Sequence, residues 1–276
     1  VGKGAKSEIS HGCIYPRQRQ FAGALTMGIL LGWTEDSWNP VMGCHKVSAG
    51  CRNCYAEEIA LRYRWSNKPW TAANASRNVV LHPERLRKPF TIKKPVHIFV
   101  NTMGDLFHPL VPDEFVQKVF DVMEKNSRHT FHILTKRPER LAAWPGPWKT
   151  NIWVGTSVED HRVKHRVESL KQCGAKMKFV AFEPLIGPIG SIELRGINWV
   201  TVAGERGKAS RPLHHSWVWS IRDQCIREGI PFLFTQSIFA CNEDEMALTH
   251  EDGTRWLWQQ SPGNLAPSRR ISENLS

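Results

Sequence analysis

Residues 96–135 read VHIFVNTMGDLFHPLVPDEFVQKVFDVMEKNSRHTFHILT. The stretch opens on a short apolar run rich in Val, Ile and Phe (96–102) and closes on another (130–135). Each is too short for a buried helix, and each reads as a buried strand. Between them, residues 112–126 carry a proline and acids at their start. Phe115, Val116, Val119, Phe120 and Met123 then fall at helical spacing, which predicts an amphipathic helix. A strand, a helix and a strand in this order form a parallel pair with a right-handed crossover.

The unit repeats along the chain. Further strands are expected at NIWVGT (151–156), MKFVAFEP (177–184), INWVTVAG (197–204) and IPFLFTQ (230–236), and further helices at 158–174 and 215–229. Six strands follow a cysteine-rich segment, and a weaker seventh is expected within 32–42. This pattern predicts an α/β fold with a parallel sheet. In such sheets the chemistry gathers at the carboxyl ends of the strands. Here those ends carry Asp105, Lys136, Arg137, Glu159, Glu183, Glu205 and Arg211, a set that suits the rim of a pocket.

With 276 residues, 41% of them hydrophobic, the chain is long enough for a well-buried core. No apolar run is long enough to span a bilayer. FAGALTMGILLG (21–32) resembles the apolar part of a signal peptide, but no small-residue cleavage pattern follows it. The net charge of +11 favours nucleotide or nucleic-acid partners. Residues 1–31 supply +3 of it, show no sustained period, and are expected to form a poorly ordered basic extension. Residues 32–240 are expected to form the barrel and 241–276 a polar C-terminal tail.

Cys44, Cys51 and Cys54 stand in GCHKVSAGCRNCYAE (43–57). The other four cysteines, Cys13, Cys173, Cys225 and Cys241, are scattered, and an odd total of seven disfavours a disulfide framework. Three closely spaced thiolates suit two metal chemistries. Zinc requires a fourth ligand, for which His45, His11 or Cys13 are available. A four-iron cluster on three thiolates leaves one iron open. That open iron is the site at which radical S-adenosylmethionine enzymes chelate and reductively cleave their cofactor.

The cysteine segment WTEDSWNPVMGCHKVSAGCRNCYAE, together with FVNTMGDLFHPLVP, HILTKRPERL, WVGTSVED, FEPLIGPI and WVTVAGERGKASRP, resembles a phage and prophage gene-product family of radical-SAM-like proteins with a Cx6CxxC motif. The resemblance spans about residues 33–236. It implies a partial TIM-type (β/α)6-7 barrel and a [4Fe-4S] cluster on Cys44, Cys51 and Cys54. It further implies S-adenosyl-L-methionine bound near Tyr55, Asn101, Asp105, Lys136, Glu183 and Glu205. Zinc is the runner-up cofactor. The spacing differs from the usual CxxxCxxC, Asn53 replaces the usual aromatic before the last cysteine, and TQSI (235–238) replaces a lysine-bearing end.

The leading expectation is therefore a cytoplasmic iron–sulfur enzyme, in a bacterium or a phage-infected cell. It would cleave S-adenosylmethionine with an external electron donor and act on a nucleotide or nucleic acid. No catalytic residue is assigned. The alternatives are a zinc-stabilised nucleic-acid-binding protein without catalysis, or a degenerate barrel that binds a cluster only.

Overall fold

A computed structural model describes residues 34–205, 209–237, 247–249, 253–263 and 269–271. The expectations for residues 1–31, and for Cys13 and Cys241, lie outside the described residues. The chain enters through β1 (Asp36–Trp38) and β2 (Val41–Met42), followed by α1 (Tyr55–Arg62), α2 (Ala75–Asn78), β3 (Val80–Leu81) and α3 (Lys88–Thr91). The repeating part then runs β4 (His97–Val100), α4 (Asp113–Lys125), β5 (Thr130–Thr135), α5 (Pro138–Ala142), β6 (Ile152–Ser157), α6 (Arg166–Gln172), β7 (Met177–Phe182) and β8 (Trp199–Gly204). It closes with α7 (His215–Glu228) and β9 (Phe232–Ser237), after which come β10 (Ala247–Thr249), β11 (Arg255–Leu257) and β12 (Arg269–Ile271).

The main sheet has seven strands in the order β1-β4-β5-β6-β7-β8-β9, and every neighbouring pair is parallel. Strands added in chain order give a singly wound sheet, with the helices on one face. The first and last strands do not pair, so this is an open, partial (β/α) barrel, as expected from the sequence. The structure inserts a small antiparallel pair, β2 with β3, between the first two strands of the large sheet.

Alternation of side chains explains why the strands read as continuous apolar runs. Phe131, Ile133, Val180, Phe182, Val200, Val202, Phe232 and Phe234 face the helices and join the large core. Alternate residues Phe179, Ala181, Trp199 and Leu233 form a second cluster with Leu134 and Trp153. Both faces of the sheet are thus dry, as parallel sheets require. His132 belongs to the second face, with its ring 4.8 Å from Trp153 and 6.1 Å from Phe179.

Two local differences from the sequence reading have physical causes. The helix expected over 158–174 is interrupted. Asp160 caps a short 3-10 turn, His161–Val163, by accepting from Arg162 N at 2.9 Å, and α6 starts only at Arg166. Finally, the stretch read as a polar tail contains β10, β11 and β12, which form an antiparallel sheet. Ala247 and Leu248 are buried, and this apolar pair is too short to register as a strand on periodicity alone.

Candidate functional site

The carboxyl ends of β4 to β8 and the cysteine segment enclose a cavity of about 180 Å³. Cys44, Cys51, Cys54, Tyr55, Asn101, Asp105, Lys136, Glu183 and Glu205 all line it. These nine residues therefore share one cavity, though with different employments, whereas Glu159 and Arg211 of the expected rim are not among its lining residues.

Asp105 and Arg137 form its rigid wall. Arg137 Nη1 donates to Asp105 Oδ2 at 2.6 Å, Thr135 Oγ1 donates to Oδ1 at 2.8 Å, and Phe107 N donates to Oδ1 at 2.9 Å. The pair is buried. Burial works against the Arg137 charge, but Asp105 and the adjoining Cys44 win and hold its pKa above the ordinary value. Asp105 thus has its acceptor capacity taken up by protein donors.

Glu205 is similarly engaged. Arg211 grips it through Nε at 2.8 Å and through Nη2, and Asn53 Nδ2 donates to it at 3.1 Å. Burial raises the Glu205 carboxyl, but these hydrogen bonds outweigh it and leave the pKa below the usual range. Tyr55 donates to the Thr102 carbonyl at 3.0 Å. Asn101, in left-handed backbone with φ 65°, accepts from Val41 N through Oδ1 at 3.1 Å, which ties β2 to the end of β4.

Glu183 and Lys136 differ from these. Burial pushes the Glu183 carboxyl up to about 7, while the Thr201 hydroxyl and, to a smaller extent, the Lys136 charge draw it part of the way back. Lys136 lies 3.8 Å from Glu159 Oε1, too long for a good hydrogen bond. Glu159 has better partners in Ser48 Oγ at 2.5 Å and Arg166 Nη1 at 3.0 Å. The Glu159–Arg166 pair was not singled out as a unit in the sequence, although Glu159 sits at a strand end. It anchors the cysteine loop: a Cβ on Gly50 would lie 2.1 Å from Glu159 Cγ, so only glycine lets the loop pass.

The three thiols overturn the metal expectations. Among the described residues, no group of three or more His, Cys, Asp or Glu side chains is placed to hold a metal ion. Each cysteine is engaged by different neighbours. Cys44 Sγ donates to the His45 carbonyl and receives Arg137 Nη1, both at 3.4 Å. Cys51 Sγ faces Ser48 Oγ at 3.9 Å. Cys54 sits at the start of α1, and burial raises its pKa while the backbone N–H groups of Glu57 and Ala56 oppose that rise. Burial pushes Cys44 up to about 12, with Asp105 adding to the rise and Arg137 opposing it. The arrangement does not fit the [4Fe-4S] cluster or the zinc runner-up. With the cluster go S-adenosyl-L-methionine as its cofactor, the external electron donor and the radical SAM enzyme assignment.

Cys173 and Cys225 are buried as small apolar residues, as read from the sequence. Among the described residues, no helix is long and apolar enough to cross a membrane.

Fold and cavity together define a partial (β/α) barrel with a strand-end pocket. The chain belongs to the family described as "Protein of unknown function (DUF5131)", whose model matches residues 30–259. The resemblance to radical-SAM-like phage proteins is carried by the comparisons only to this coarser membership. A search of curated proteins gave no match. Among solved structures, a double mutant of spore photoproduct lyase with bound AdoMet and dinucleoside spore photoproduct is similar over 87% of this chain and 69% of that one. It shares 9% identity at a TM-score of 0.40, a level that carries no argument about ligand or activity.

Proposed function

We propose that the protein is a binding module for a phosphate-bearing nucleotide or nucleic-acid ligand, held at the strand ends of the partial barrel. The observation that supports this reading is that Glu183 and Lys136 both line a small, mostly apolar cavity. Their neighbours Asp105, Arg137, Glu205 and Arg211 neutralise one another in pairs, which leaves Glu183 and Lys136 as the groups with chemistry to offer. An ammonium suits a phosphate oxygen, and a carboxyl near neutrality suits a sugar hydroxyl or an amine. A nucleotide carries both. The net charge of +11 supports attraction of such anions.

Calorimetric titration with nucleoside monophosphates and a short single-stranded oligonucleotide tests this reading. Lys136→Ala is expected to weaken binding about tenfold and to flatten its salt dependence. Glu183→Gln is expected to weaken it less. Unchanged affinity in both variants would remove the pocket from the interaction.

A further inference from the structure

A second and larger cavity, about 800 Å³, lies outside the strand-end site, between β1, the β2–β3 pair and the end of α1. Two aromatic rings stand at its mouth. Tyr63 and Trp65 are stacked, with centroids 5.6 Å apart and planes at 24°. They are 46% and 43% exposed, so about half of this paired surface meets water. Large aromatic side chains normally bury their area, and a stacked pair left open in this way is a ready platform for a third flat ring.

Two polar groups of lining residues lack partners. Ser37 Oγ and Trp70 Nε1 are buried with no hydrogen-bond partner among the described residues. Both residues line the cavity and are less than 9% exposed. Orphaned buried polar atoms are uncommon and costly, and a ligand acceptor would satisfy the indole N–H. The cations in the walls already have partners: Lys88 Nζ donates to Asp36 Oδ1 at 2.7 Å, and Arg85 lies 3.7 Å from Glu84 Oε1 and donates to the Asn39 carbonyl at 3.1 Å. The interior therefore suits a neutral, flat, acceptor-rich group better than a free anion.

We infer that this crevice takes a nucleobase, stacked on Trp65 and Tyr63 with a ring nitrogen or carbonyl turned toward Trp70 and Ser37. The chemistry is shared by a free nucleotide and by an unstacked base of a single strand. The site stands apart from the strand-end pocket, although Trp70 lines both cavities, and it does not depend on phosphate being bound there.

The test uses the full chain, ¹⁵N-labelled at tryptophan, with the Trp70 indole N–H resonance assigned by Trp70→Phe. Adenosine 5′-monophosphate and an eight-nucleotide oligodeoxyadenylate are titrated separately, and affinities are read by calorimetry. Either probe is expected to shift the Trp70 resonance. Trp65→Ala is expected to weaken binding at this site about tenfold, the loss of one base–aromatic stack, and Trp65→Leu, which keeps apolar bulk but no ring plane, is expected to weaken it similarly. A response to both probes marks free nucleotide as sufficient, and a response to the oligomer alone marks a nucleic-acid strand. Because Trp70 lines both cavities, the sites are separated by Trp65, which lines only this one: in a Lys136→Ala background Trp65→Leu must still reduce the Trp70 shift. A resonance that stays still with both probes, or a Trp65→Leu protein that binds as the parent does, would overturn the inference.

Discussion

Glu183 links the pocket to the pH dependence of folding. Its carboxyl is raised from 4.5 to about 7 by burial, so the folded state holds this proton at pH values where the unfolded chain has lost it. Its contribution to stability is then greatest below about pH 4.5 and declines as pH rises through 7. A shift of this size corresponds to roughly 3 kcal/mol. Glu183→Gln removes the penalty, so the variant is expected to be more stable than the parent at pH 8, by up to roughly that amount, and equal to it near pH 4.5. Denaturation by urea at both values reads the difference. Asp105 matters through its hydrogen bonds. Asp105→Ala would strand the buried Arg137 and two donors, and is expected to cost about 3–5 kcal/mol, with Asp105→Asn costing less because it keeps an acceptor. The rim residues were legible because each follows the end of a strand. Their pairings were legible only when local: Arg211 lies six positions from Glu205, whereas Arg137 lies 32 from Asp105 and meets it only in the fold. The three cysteines misled for a related reason. Spacing sets which thiols can approach one another, but the 3-10 turn Ala49–Cys51 and the neighbours of each sulfur decide which do.

At the scale of elements, α4 shows why periodicity is a good guide. Its buried residues, Phe115, Val116, Val119, Phe120, Val122 and Met123, form one face, and Phe120 also packs on Trp144 and Trp148. Phe120→Ala is expected to cost about 3–5 kcal/mol, read as a fall in the denaturation midpoint. The cysteine loop depends on a contact that no periodicity reveals. Gly50→Ala would press a methyl group into Glu159, which Arg166 and Ser48 hold in place, and is expected to cost about 1–3 kcal/mol. The rescue variant Gly50→Ala with Glu159→Ala relieves the clash and leaves Arg166 unpaired, so the two losses should not add. Strands β5 and β7 begin at the residues the sequence reading assigned, because their apolar runs start and stop abruptly. The short β1 was faint in the sequence, since three residues of an edge strand carry too little pattern to stand out.

For the whole molecule, chain order alone predicted the sheet order, because each strand lies beside the next one in sequence. The small sheet β10–β12 was not foreseen, and it alters the outer side of β9. Phe234 N donates to the Trp258 carbonyl at 2.8 Å and Gln260 N donates to the Phe232 carbonyl at 3.1 Å. Trp199 Nε1 adds a bond to the Gln260 carbonyl at 2.9 Å. An open barrel leaves two strand edges able to recruit a foreign chain, and here the segment after β11 occupies one of them. The protein thereby carries its own guard against edge-to-edge polymerisation on that side. A chain ending after Ser237 should lose the guard, and light scattering is expected to show concentration-dependent association that the 276-residue chain lacks.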